Sequence, residues 1–164
     1  MKQLWSPWRM AYIERDKAEA ECLFCARLRE DDARGLILHR GRKAFVMLNR
    51  YPYTNGHMMI VPYEHSPTLE ALDEATLTEL MTLSSKGMVV LRAVYASEAF
   101  NVGMNIGKAA GAGVADHVHI HVVPRWAGDT NFMATTAETR VLPEALETTY
   151  SRLLAGWQKA DQKI

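Results

Sequence analysis

The run DHVHIHVVPRW, residues 116–126, constrains this chain more than any other stretch, because polar and apolar residues alternate in it with a period of two. That period belongs to a β-strand with one buried face. Val118, Ile120 and Val122 are therefore expected in a core, and His117, His119 and His121 on the opposite face. One histidine on a strand is ordinarily a satisfied or surface residue; three in register ask for chemistry. Side chains two apart on a strand face stand about 7 Å from each other, too far for all three imidazoles to chelate one ion comfortably. The three can bind metal, serve acid–base or nucleophilic chemistry, or divide these tasks, and the spacing favours division.

Further strands are expected at GLILHR, AFVMLN and HMMIVP, and at AFNVGMNIG shortly before the triad. Pro52 and the Asn55-Gly56 pair mark YPYTNG as a turn. Ser66 followed by Pro67 resembles a helix start, and Leu77, Leu80, Met81, Met88, Leu91 and Tyr95 continue at helical spacing, which predicts a long helix through about Ser97. A last helix is expected over about 142–160, with Pro143 near its start and Leu146, Tyr150, Leu153 and Trp157 on one stripe. Strands joined by short turns, then a helix, then two more strands predict an antiparallel α+β sheet with helices on one face. At 164 residues one domain spanning 1–164 is expected, with a tryptophan-rich N-terminal arm over 1–20.

Nineteen Lys and Arg balance nineteen Asp and Glu, so no net field recruits nucleic acid or an anionic membrane. No signal-like leader and no run long enough to span a bilayer is evident, which makes a cytoplasmic location the expectation. The only cysteines, Cys22 and Cys25, form a CxxC pair. No clear strand precedes them, as a thioredoxin-like redox motif would require, so a metal half-site is favoured over a redox pair. Two thiolates leave a tetrahedral zinc site two ligands short, and histidine is the usual supplement. The glycine-rich loop KAAGAGVAD before the triad can present backbone N–H groups to phosphate oxygens.

HVHIHVV resembles the histidine-triad pattern of the HIT superfamily, and NGHMMIVPYEH resembles that family's Gly-His-apolar-Val-Ile-Pro segment. LWSPWRMAYI, FVMLNRYPY and RWAGDTNF are similar more narrowly to its bacterial diadenosine tetraphosphate phosphorylase branch. The resemblance implies a HIT-like fold: a five-stranded antiparallel sheet, one long central helix, a C-terminal helix, and a homodimer joined through a continuous sheet, with tetramers open. It implies His119 as the nucleophile that takes up a nucleotidyl group, and His121 as a phosphate contact that stabilises developing charge. Zinc-containing members imply a structural zinc held by Cys22, Cys25, His65 and His117, with no organic cofactor. His65 otherwise caps the helix expected from Ser66.

For nucleotide binding the resemblance implies Asn49 at the ribose hydroxyls and Asn105 at the phosphate or ribose. Gly113 stands where hydrolase branches carry glutamine, and Val114 where relatives carry a hydroxyl residue. Arg125 and Trp126 are expected to close the site, or Trp126 to pack on the sheet's end. The implied activity is phosphorolysis of diadenosine tetraphosphate to ADP and ATP, with the nucleotide and inorganic phosphate as partners. A nucleoside phosphoramidase or dinucleoside polyphosphate hydrolase shares the same nucleophile. A nucleotide-binding regulator without turnover is the reading of a different class.

Overall fold

The computed structural model describes residues 21–129 and 144–162. The expected arm over 1–20, with Trp5 and Trp8, and Pro143 lie outside them. Two short helices, α1 (Leu23–Arg27) and α2 (Asp32–Gly35), precede strands β1 (Ile37–Arg40), β2 (Ala44–Leu48) and β3 (Met58–Pro62). Helix α3 (Glu74–Tyr95), strand β4 (Ala99–Gly103), a 3₁₀ turn over Lys108–Ala110, strand β5 (Ile120–Arg125) and helix α4 (Leu146–Asp161) follow. The strands form one antiparallel sheet in the order β1-β2-β3-β5-β4, the expected five-stranded α+β architecture.

Alternation sorts the side chains onto two faces. Leu38, Val46, Leu48, Met58, Ile60, Val118, Ile120 and Val122 join the α3 and α4 residues Leu80, Leu83, Val90, Leu91, Leu153 and Trp157 in the main core. Ile37, Phe45, Met47, Met59 and Val61 point the other way and bury Phe24 of α1 among them. Close approach of the helices depends on two glycines. A Cβ on Gly87 of α3 would meet Met58 Sδ at 3.3 Å, and one on Gly156 of α4 would meet Val94 Cγ2 at 2.5 Å.

Three boundaries differ from the sequence expectation. Helix α3 begins at Glu74, capped by Asp73, whose carboxylate accepts the Thr76 N–H at 2.7 Å; Ser66 instead shapes a turn, its hydroxyl donating to the Thr68 carbonyl at 3.0 Å. Helix α4 begins at Leu146, about four residues later than the spacing predicts. Regular pairing of β5 starts only at Ile120, so His117 and His119 lie in the segment leading into the strand. That segment is tied down separately: the Val118 N–H donates to the Ser66 carbonyl at 2.7 Å.

Candidate functional site

The site lies on the α1 side of the sheet, at the entrance to β5. Its first half is a cluster of Cys22, Cys25, His65 and His117, whose ligand atoms all fall within 4.8 Å of one another. Cys22 immediately precedes α1, Cys25 sits within it, and His65 stands in the loop after β3. Cys22 Sγ is 3.3 Å from His117 Nδ1, and Cys25 Sγ is 3.5 Å from His65 Nδ1 and 3.8 Å from His117 Nδ1. Ligand edges of about 3.3–3.8 Å are what a tetrahedron with zinc–sulfur bonds of about 2.3 Å and zinc–nitrogen bonds of about 2.0–2.1 Å requires.

The tautomer agrees. His117 Nε2 lies 2.9 Å from the Pro62 carbonyl, which can only accept, so the proton sits on Nε2 and the Nδ1 lone pair faces the thiols. Burial lowers the basicity of His117 and keeps the ring neutral. Two cysteine sulfurs and two imidazoles are a donor set for a closed metal site.

The second half is a chain of imidazoles. His119, 5 % exposed, places Nδ1 at 2.9 Å from the His117 carbonyl. The carbonyl again accepts, so Nδ1 carries the proton and Nε2 keeps its lone pair. Burial lowers the pKa of His119, which leaves it neutral at physiological pH. Phe24 packs against its ring with centroids 4.7 Å apart, and His121 stands edge-on at 4.7 Å.

His121 is pushed down to about 4, by burial first and by the neighbouring His119 second. Its tautomer is set through His57. The Tyr53 backbone N–H donates to His57 Nδ1 at 3.2 Å, so His57 carries its proton on Nε2 and donates it to His121 Nδ1 at 2.9 Å. His121 then presents an Nε2–H donor. Beside the free lone pair of His119, this arrangement can attack an electrophilic centre and donate to an oxygen on it.

His57, 1 % exposed, is the residue that sequence reasoning passed over. The resembling segment NGHMMIVP contains it, but no role attached to it. The available signal was a polar residue opening an otherwise apolar strand. Such a group needs a buried partner, and β3 pairs with the triad strand.

Of the other expected residues, Asn49 is brought to this chain of rings. Its Oδ1 accepts the Tyr51 N–H at 2.9 Å and its Nδ2 lies 3.4 Å from His57 Nδ1. Asn105 follows β4 by two residues, beyond Gly103, the partner of His121. Gly113 is in the loop before the triad, and Val114 packs with the Phe24 cluster, an apolar task a hydroxyl would fill poorly. Arg125 and Trp126 are held at the other end of β5. The Arg125 guanidinium bonds Asp129 and Asn101, and the Trp126 indole donates to the Tyr95 carbonyl at 3.1 Å. That bond ties the Trp126 ring to the last residue of α3.

Residues 32–128 match the HIT domain model. The chain belongs to the HIT family. It is 37 % identical over 167 residues to the AP-4-A phosphorylase of Mycobacterium tuberculosis, covering 97 % of this chain and 86 % of that protein. A Zn-bound histidine triad family protein from Mycobacterium smegmatis superposes with a TM-score of 0.69 at 24 % identity, covering 88 % of this chain and 98 % of that one. A histidine triad nucleotide-binding protein from Sulfolobus tokodaii gives 0.67 at 24 %, covering 87 % and 93 %. This HIT chain is an enzyme of the class that acts on nucleotide phosphates. No helix among the described residues is long and apolar enough to cross a membrane.

Proposed function

We propose that this enzyme is a nucleotidyltransferase that splits diadenosine tetraphosphate with inorganic phosphate into ADP and ATP. The observation that carries the mechanism is the fixed tautomer of His119, which leaves Nε2 unprotonated in a buried site. His119 Nε2 attacks an α-phosphorus in line; a phosphorus–nitrogen bond forms, the bond to the bridging oxygen breaks, and ATP departs. The Nε2–H of His121 stabilises negative charge developing on the phosphoryl oxygens. Inorganic phosphate then takes the adenylyl group from His119, which releases ADP and restores the free imidazole. Asn49, Asn105, the backbone around Gly113 and Val114, and Arg125 and Trp126 at the strand's end are the remaining groups proposed to frame the nucleotide.

Cys22, Cys25, His65 and His117 would hold zinc. Four protein ligands leave no open position, so the ion supplies a structural tie between α1 and the triad segment. It would fix His117, whose carbonyl holds His119 in turn. One zinc per chain in freshly purified protein is the expected metal content.

Product analysis tests the reaction. With phosphate, ADP and ATP are expected in equal amounts; without it, one covalent adenylyl adduct per site and one equivalent of ATP, both lost in His119→Ala. Release of AMP without phosphate would make water the acceptor and the protein a hydrolase, and tight binding without any product would make it a regulator.

A further inference from the structure

We infer that Glu144, at the entrance to α4, is a positioning residue for the His57–His121 pair; the inference rests on the enzymatic reading of that pair given above. Glu144 stands outside the segment that matches the family model and lines a cavity with Asn49, Asn55 and His57. Its carboxylate nevertheless gathers four donors from three parts of the fold. Oε2 accepts from the Tyr95 hydroxyl at the end of α3, from Thr149 Oγ1 at 2.9 Å in α4, and from Asn55 Nδ2 at 3.3 Å; Oε1 accepts from Arg152 Nη1 at 2.6 Å. Burial opposes the charge, but hydrogen bonds from Tyr95, Arg152, Thr149 and Asn55 outweigh it and hold the carboxyl at about 2.

The Asn55 contact reaches the site. Asn55 is 8 % exposed and precedes Gly56, whose backbone has φ +81° and whose Cα packs so closely on Leu91 that a Cβ would approach Cδ2 at 2.8 Å. His57 follows directly, and its Nε2 donates to His121 at 2.9 Å. Its ring direction depends on where this turn places its backbone. Thr54 anchors the turn to the Pro124 carbonyl at 2.9 Å, and Asn55 anchors it to Glu144, so the turn is held at both sides. A carboxylate gripped by four donors has one arrangement available, and that rigidity is passed to a ring whose proton sets the tautomer of His121.

The test uses the full chain and exchanges donor and acceptor across the contact. Asn55→Asp sets two carboxylates face to face; Glu144→Gln alone weakens the network. Together they re-form the bond with the introduced amide donating to the introduced carboxylate. We measure kcat and KM with diadenosine tetraphosphate and phosphate, and the ring-nitrogen NMR signals of His57 and His121, well below each variant's unfolding midpoint. Asn55→Asp is expected to lower kcat about ten- to a hundredfold, the scale of a displaced catalytic group, to shift both ring signals, and to leave KM within a fewfold. The double variant is expected to recover most of both. Asp73→Ala, which uncaps α3 away from the network, is expected to lower thermal stability while keeping kcat and the ring signals. Wild-type kcat and unmoved ring signals in Asn55→Asp, or loss tracking stability alone as in Asp73→Ala, would overturn the inference. Failure of the wild-type chain to split the substrate would instead remove the functional reading, while the ring signals still report on the Asn55–Glu144 link.

Discussion

At the scale of single residues, the site works by deciding where protons sit. Three imidazoles, His57, His117 and His119, each have one nitrogen fixed by a backbone group, and His121 inherits its tautomer from His57. Neutral rings in a buried site have a thermodynamic signature. His121 falls from 6.5 in the unfolded chain to about 4 in the folded one, and His119 and His39 are lowered as well, each chiefly by burial. The folded state binds protons less readily at these rings. Their contribution to stability is therefore complete above 6.5 and declines as the pH falls towards 4. Glu144 and Asp73, both held at about 2, have ordinary values of 4.5 and 3.8 and lose their contribution only below that. Between 6.5 and 4.5 the histidines thus dominate. The urea midpoint is expected to drop across that window, with His121 alone contributing on the order of 2 kcal/mol, and to drop less in His121→Phe. A flat midpoint would show that the rings are not kept neutral by the fold. The triad was legible because its period is local. His57 was not, because its role depends on β3 lying beside β5, and Glu144 was not, because its partners lie 49 and 89 residues away in the chain.

At the scale of elements, the strands were legible from alternation and turn chemistry, while helix starts were not. Ser66-Pro67 has the residue types of a helix entrance, yet its carbonyl is taken by Val118 and its hydroxyl by a local turn, so the cap passes to Asp73. That competition is tertiary. Helix α1 shows the same limit from the other side: five residues without a side-chain cap cannot hold themselves, and Phe24 plus the thiol–imidazole cluster must do so. Helix packing yields a sharper prediction. Gly156→Ala gains helix propensity of about 1 kcal/mol, but its Cβ would fall 2.5 Å from Val94 Cγ2 and 3.2 Å from Val90 Cγ1. Valine in a helix has one preferred rotamer and cannot swing aside cheaply. Overpacking of about 1–3 kcal/mol should win, so Gly156→Ala is expected to lower the unfolding midpoint and Val94→Ala to rescue it in the double variant. Stabilisation by Gly156→Ala alone would show that the α3–α4 contact has slack.

At the scale of the whole molecule, the sheet ends on β4 among the described residues. β4 is the last strand in the order, its residues are exposed or half-buried along their length, and Val102 is 43 % exposed. A strand with no neighbour on one side carries a row of backbone groups able to pair with another chain. The homodimer that the family resemblance implies is predicted to use this edge: two β4 strands related by a two-fold axis would extend one sheet across both copies. In such an isologous contact every substitution occurs twice at the seam. Val102→Lys therefore sets like charges near the axis, where they are costly because the edge is desolvated on pairing. Sedimentation is expected to give a dimer for the wild-type chain and a monomer, or a dimer weakened at least tenfold, for Val102→Lys, which corresponds to about 1.4 kcal/mol. The consequence for the site is calculable from register. Gly103 of β4 pairs with His121, so the seam lies one strand from the imidazole chain, and loss of the dimer should lower activity along with mass. A Val102→Lys monomer with full activity would confine the edge to assembly; an unchanged dimer would move the interface elsewhere on the molecule.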